Sequence, residues 1–195
     1  MYTRFNDIMK QQCDNLHYLM DSGYAKSVSQ VVDALLDALR AGNKVLIAGN
    51  GGSAADAQHF AGEFVGRFLR ERGGFPAVAL TTDSSIMTSV ANDYGFDEIF
   101  ARQINALGNE GDVFIGISTS GNSENIVNAF NECKQKGITT VGLLGKNGGK
   151  LKDMSDYLML VPFKETPRVQ EIHTMTVHMM CEIVEEKIIQ EDIKK

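Results

Sequence analysis

The sequence predicts an α/β three-layer sandwich around a five-stranded parallel sheet, and three observations carry that prediction. The chain has 195 residues, 43% apolar and 23% charged. That is one domain's worth of material, with enough core to fold without a disulfide or metal staple. Five short apolar runs recur: KVLIAG (44–49), PAVALT (76–81), DVFIGIS (112–118), TTVGLLG (139–145) and DYLMLVP (156–162). Unbroken runs of this length read as strands covered on both faces, hence parallel. Helical patterns at 53–69, 84–92, 97–107 and 123–136 lie between them, so strand and helix alternate as right-handed crossovers require.

The elements outside this alternation are helical. Phe5, Ile8, Met9, Leu16, Leu19 and Met20 recur at helical spacing, as do Val28, Val31, Val32, Leu35, Leu36 and Leu39. The second pattern stops at Ala41-Gly42-Asn43, a cap and turn. A last helix at 167–191 is apolar on more than one side, through Val169, Ile172, Met175, Val177, Met179, Met180, Ile183 and Val184, and such a helix must be covered nearly all round. The first two helices are expected outside the α/β core, where with the last they would form a subunit interface; packing on the chain's own sheet is the plainer alternative. The expected organisation is a single domain over 1–195, with 1–42 used in oligomerisation and 43–195 as the α/β core and C-terminal helix.

Nineteen Lys and Arg against 25 Asp and Glu leave a net charge of −6, and no basic run invites nucleic acid. Three scattered cysteines, Cys13, Cys133 and Cys181, form no CxxC motif and no disulfide framework, as expected of a cytoplasmic protein. No signal peptide or membrane span is expected.

Ligands of open α/β sheets bind beyond the carboxyl ends of the strands, and two such loops have unusual chemistry. Gly49-Asn50-Gly51-Gly52-Ser53 follows the first strand. Its glycines admit close backbone approach, and Ser53 can cap the next helix with Asp56 three residues on. The loop is either an anion site at a helix N-terminus or a tight turn with an ordinary cap; it is neither a Walker A nor a GxGxxG fingerprint. Ser118-Thr119-Ser120-Gly121-Asn122-Ser123 follows the third strand. One serine suffices for a cap, so four hydroxyls point to phosphate, against the alternative of a polar loop with local bonds.

His59 and Glu63, four apart, share a helix face turned away from the Ala57–Ala61–Phe64–Phe68 stripe; on spacing alone a solvated i,i+4 pair explains them better than a site does. His178 lies in the apolar last helix with Glu171 and Thr174 near its stripe and Gln170 about 80° off it. His173 points some 140° away from His178, and His17 reads as surface.

Joined together, GNGGSAADAQHFAGEF, ANDYGF, GDVFIGISTSGNSENI and TPRVQEIHTMTVHMMCEIVE resemble the phosphoheptose isomerase family of the sugar isomerase (SIS) superfamily, over essentially the whole chain. The resemblance implies a flavodoxin-like fold, a homotetramer with sites between subunits, and one zinc per subunit. It implies sugar binding by Asn50, Gly51 and Gly52, an Asn-Asp substrate pair at Asn92 and Asp93, and a phosphate loop of Ser118, Thr119, Ser120 and Ser123 helped by Ser53. It implies zinc ligands His59, Glu63, Gln170 and His178, with Glu63 and Gln170 also touching substrate, and Glu63 and His178 as the acid/base pair. Glu63 and His178 would then serve both metal and proton transfer; either substrate displaces a ligand or the metal organises the site.

The activity so implied is conversion of sedoheptulose 7-phosphate to D-glycero-D-manno-heptose 7-phosphate through an enediol, feeding lipopolysaccharide core or capsule. The alternatives are an SIS isomerase of another phosphosugar and a non-catalytic SIS tetramer that binds a replication initiator protein. The expected partners are a phosphosugar and further copies of the chain, with no nucleic acid and no membrane.

Overall fold

The computed structural model describes residues 2–193. Two helices, α1 (Tyr2–Asp21) and α2 (Tyr24–Arg40), precede the alternating part: β1 (Val45–Gly49), α3 (Gly52–Val65), β2 (Ala77–Ala79), α4 (Ser84–Tyr94), a 3₁₀ turn (Phe96–Glu98), α5 (Ile99–Leu107), β3 (Val113–Ser118), α6 (Glu124–Gln135), β4 (Thr139–Gly145), a second 3₁₀ turn (Lys150–Met154) and β5 (Tyr157–Val161). The last helix is α7 (Thr166–Asp192). All five strands are parallel in the order β2-β1-β3-β4-β5. The chain leaves β1 toward one edge and returns to β3 to build toward the other, so the topological switch point lies between β1 and β3. That is where such sheets open a crevice beyond the strand ends.

Every residue of β1 and β3 is buried, as the unbroken apolar runs predict. Alternate side chains feed two cores. Val45, Ile47, Val113, Ile115 and Ile117 pack with α2, α3 and α7, whereas Leu46, Ala48 and Phe114 pack with α4, α5 and α6. Three layers result.

The structure corrects four expectations. α2 does not lie outside the core: Val28, Val31, Val32, Leu35 and Leu36 are buried against the chain's own sheet and α7, and the buried Tyr24 hydroxyl bonds Thr176 at 2.8 Å. Periodicity shows that a helix has an apolar face, not what the face meets. α1 is different: Leu19 is its one buried residue, and Tyr2, Phe5, Met9, Tyr18 and Met20 are exposed. β2 is only three residues long, an edge strand with a partner on one side. Ser53 is not the cap of α3; Gly51 is, at φ 57°, with no side-chain bond, and Asp56 bonds Thr174 instead.

The helix expected over 53–69 ends at Val65, and the reason is a pair of buried charges. Glu185 of α7 accepts from the backbone N–H of Phe68, Leu69 and Arg70 at 2.8–2.9 Å and from Arg72 at 3.1 Å. Arg72 donates to the carbonyls of Glu63, Phe64 and Gly66, which a helix end leaves without partners, and its guanidinium stacks over Phe75 at 3.7 Å. Burial pushes the Glu185 carboxyl up, but three N–H donors and Arg72 outweigh it and hold it below its ordinary range.

This pair sets an acid limit on stability. Removing one partner of a buried charge pair costs about 3–5 kcal/mol, so Glu185→Ala should lose about that much in urea denaturation at neutral pH. Because the folded pKa is depressed, the carboxylate's contribution is complete above the ordinary value of 4.5 and is lost as pH falls through the folded value. The stability gap between wild type and Glu185→Gln should therefore narrow as pH falls below about 5; a constant gap would remove Glu185 from this role.

Candidate active site

The glycine loop after β1 and the serine loop after β3 flank the switch-point crevice. α3 starts without a side-chain cap; the Ser53 N–H bonds the Asn50 carbonyl and the Ala54 and Ala55 N–H groups bond the Gly51 carbonyl, which leaves the Gly52 N–H at the helix start for an anion. Gly51 supplies the positive φ, and a Cβ on Gly52 would stand 2.4 Å from Gln170 Nε2. Gln170 of α7 thus lies directly on the glycine loop. Ser53 is buried in the first turn.

In the serine loop, Ser118 Oγ accepts from Gly121 N at 3.1 Å and meets Ser123 Oγ at 3.1 Å, while Ser120 Oγ accepts from Asn122 N at 3.2 Å. Ser123 is the N-cap residue of α6, but its side chain does not cap. Thr119, Ser120 and Ser123 are half-buried and Ser118 is buried. The hydroxyls thus cluster at a helix start that has no side-chain cap, a setting that suits a phosphate without fixed positive charge. The loop is seated from below by the turn before the second 3₁₀ segment: Gly121 has φ 67°, and a Cβ there would fall 1.9 Å from the Gly148 carbonyl oxygen.

One buried residue at this crevice escaped the sequence reading. Asn125, in the first turn of α6, exchanges two hydrogen bonds of 2.9 Å with Asn50, one in each direction. A lone Asn in a helix's first turn reads as a polar surface residue, so only its burial shows the pairing.

α3 and α7 run side by side in the same direction, and their contacts step down together: Gly52 with Gln170, Asp56 with Thr174 at 2.8 Å, His59 with His178 at 3.2 Å, and the segment after α3 with Glu185. His59 Nε2 also lies 3.0 Å from Glu63 Oε1, the two rings meet edge-on at 4.9 Å, and Phe68 stacks on His178. His59, Glu63 and His178 are therefore one cluster on a partly exposed face. Burial pushes the Asp56 carboxyl up, and Thr174 and His59 pull it back in part. Glu171, nearer the His178 stripe than Gln170, is exposed and paired with Arg168. His173 is fully buried, with both ring nitrogens lacking hydrogen-bond partners among the described residues; burial pushes it down to about 4, so it is neutral at pH 7.

The chain does not gather every candidate residue into one place. Gly52 and Glu63 are separated by roughly 16 Å along α3 at 1.5 Å per residue, and Gln170 stands two turns above His178 on α7. Asn92 and Asp93 occupy the exposed last turn of α4 and bond each other at 2.8 Å. Among the described residues, no three or more His, Cys, Asp or Glu form a metal-binding group; Glu63, His59 and His178 stand as a hydrogen-bonded chain.

The SIS domain family profile matches residues 12–145. A phosphoheptose isomerase of Aneurinibacillus thermoaerophilus is 55% identical over 87% of this chain and 86% of its own, and one of Burkholderia pseudomallei (strain K96243) is 52% identical over 94% and 93%. The structure of the Neisseria gonorrhoeae phosphoheptose isomerase superposes with a TM-score of 0.89 at 38% identity, over 95% of this chain and 98% of that one. That of Francisella tularensis superposes with a TM-score of 0.91 at 36% identity, over the same shares.

The seat of the serine loop makes Gly121 the position to test. Gly121→Ala forces a side chain into a left-handed backbone, at roughly 1–3 kcal/mol, and drives it into the Gly148 carbonyl. A lowered midpoint in thermal melts is expected; an unchanged midpoint would show that the loop does not rest on that turn.

Proposed function

Since the chain belongs to the phosphoheptose isomerases of the SIS-domain family and is an aldose–ketose isomerase acting on sedoheptulose 7-phosphate in heptose biosynthesis, we propose that it does so at the crevice between β1 and β3, completed by a neighbouring copy. The carrying observation is the length of α3. A seven-carbon chain has six C–C bonds of about 1.5 Å and cannot reach beyond about 9 Å, whereas Glu63 lies roughly 16 Å down the helix from Gly52. A sugar held on one chain's loops therefore takes its base from another chain. The exposed face of α1, the apolar groove of about 370 Å³ that Leu16, Met20, Val28, Met175, Met179 and Ile183 help to line, and the exposed Asn92 and Asp93 support a homotetramer with sites between subunits.

In this reading Ser118, Thr119, Ser120 and Ser123, with Ser53 behind them, hold the phosphate. Asn50, Gly51, Gly52 and Gln170 hold the sugar, and Asn92 and Asp93 reach a neighbour's substrate. Glu63 removes the proton from C1 of the ketose, leaving a cis-enediolate, and returns it to C2 on the same face. His178 moves the hydroxyl proton from O1 to O2, so the aldose forms with no net gain or loss of protons. The product feeds lipopolysaccharide core or capsule heptose, and the enzyme works in the cytoplasm; no helix is long and apolar enough to cross a membrane among the described residues.

Among the described residues, His59, Glu63 and His178 do not stand as a ready metal-binding group, but two edges of the cluster match zinc spacing. Zn–N bonds of about 2.0–2.1 Å in a tetrahedron put ligand atoms about 3.3 Å apart, and the 3.0 Å from Glu63 to His59 and 3.2 Å from His59 to His178 are close to that edge. His59, Glu63 and His178 would hold one ion, with Gln170 presented from a neighbouring copy. When bound, the ion would supply Lewis acidity toward the sugar oxygens.

Glu63→Gln keeps shape but cannot take a proton, and losing a positioned base costs about 10²–10⁴-fold. kcat should collapse by that factor with KM within about tenfold, and exchange of the C1 hydrogen in deuterated water should stop. Exchange at the wild-type rate would move the base to Asp93 or His178.

Protein purified without chelator should contain about one zinc per chain by elemental analysis. His59→Ala should lose it while keeping its circular dichroism, because the core is built without it. Full activity in metal-free wild type would remove the metal role.

A further inference from the structure

The reciprocal amide pair Asn50–Asn125 crosses the crevice between the two loops to which the proposed function gives sugar and phosphate. Asn125 is 2% exposed, and each carboxamide donates once through Nδ2 and accepts once through Oδ1 at 2.9 Å. A carboxamide has two N–H donors, so the pairing orients the half-buried Asn50 and leaves it one N–H for a ligand. The clasp also ties the glycine loop to the first turn of α6, two residues after Ser123. Strand pairing holds Gly49 beside Ile117, but the loops extend past that register, and among the described residues the Asn50–Asn125 pair is the side-chain hydrogen bonding that joins them.

We propose that Asn125 is a positioning residue that fixes the span between the phosphate loop and the sugar loop, and thereby the length of sugar phosphate the site accepts. This rests on the proposed roles of the two loops. With the span fixed, a shorter sugar anchored by its phosphate falls short of the Asn50 end. A displacement of about 1 Å can cost about 10²-fold in rate, so a rigid span discriminates by length, whereas a slack one penalises the seven-carbon substrate most.

The test compares kcat/KM for sedoheptulose 7-phosphate with that for five- and six-carbon ketose phosphates. Asn125→Ala should lower the seven-carbon value by about 30-fold or more and the shorter ones by less than about threefold, relaxing selectivity about tenfold. Inorganic phosphate, titrated calorimetrically, should bind the variant within about threefold of wild type, since the serine hydroxyls are untouched. In an Asn50→Ala background, Asn125→Ala should change selectivity no further, because it acts through Asn50. An unchanged ratio, additive effects in the double variant, or collapse of phosphate binding would each overturn the proposal. Should Asn125→Ala fail to fold, Asn125→Ser, whose hydroxyl is too short to reach Asn50, is held to the same ratios. Ser120→Ala tests the loop reading separately: if phosphate binding survives it intact, the phosphate assignment fails whatever Asn125 does.

Discussion

Much of this structure hangs on two helices that lie side by side and point the same way. α3 follows the first strand and α7 follows the last, yet they meet turn for turn from Gly52 on Gln170 to the segment after α3 on Glu185. The sheet makes this possible, because every strand is parallel and both helices pack on one face of it. At the upper end the pairing presents a carboxamide to the glycine loop; in the middle it brings two imidazoles and a carboxylate together; at the lower end it closes the helix with a buried ion pair. None of these groups could be moved by a turn without moving the others.

The lower end does more than terminate a helix. Arg72 donates to the backbone carbonyl of Glu63 itself, so the residue proposed as the base sits in a turn whose orphan carbonyls are filled by a buried cation. The cation is balanced by Glu185, which is balanced in turn by three backbone N–H groups. Buried charges persist when such a chain of partners is complete, and here the chain ends in the turn that aims Glu63.

The fold was legible because its strands are buried on both sides, and burial on both sides writes itself as an apolar run. Helix faces were legible too, but not their partners, which is why α2 was expected away from the sheet on which it packs. At the site, His59 and Glu63 could be placed on one face by spacing, and the crowd of hydroxyls at 118–123 exceeded what a cap needs. The meeting of His59 with His178 could not be read from spacing, because it depends on which helices the sheet sets side by side. Asn125, Arg72 and Glu185 were invisible for a related reason. Each is a single polar residue whose meaning lies in a partner far along the chain, and single polar residues default to solvent. The capping role expected of Ser53 failed because Gly51, with its positive φ, caps the helix two residues earlier.

The parallel sheet also sets an order of assembly. Val45 pairs with Val113, so β1 must wait for a strand made much later, and long-range pairing of this kind is slow and exposes apolar edges while it waits. α7 emerges after every strand and carries Gln170, His178 and Glu185. A ribosome that stalls before it releases a chain with its loops in place but no imidazole opposite His59 and no carboxylate to close α3. Such a fragment covers one face of the sheet with α2 and α3 but not α7, and the apolar side chains that α7 should meet stay exposed, an aggregation hazard.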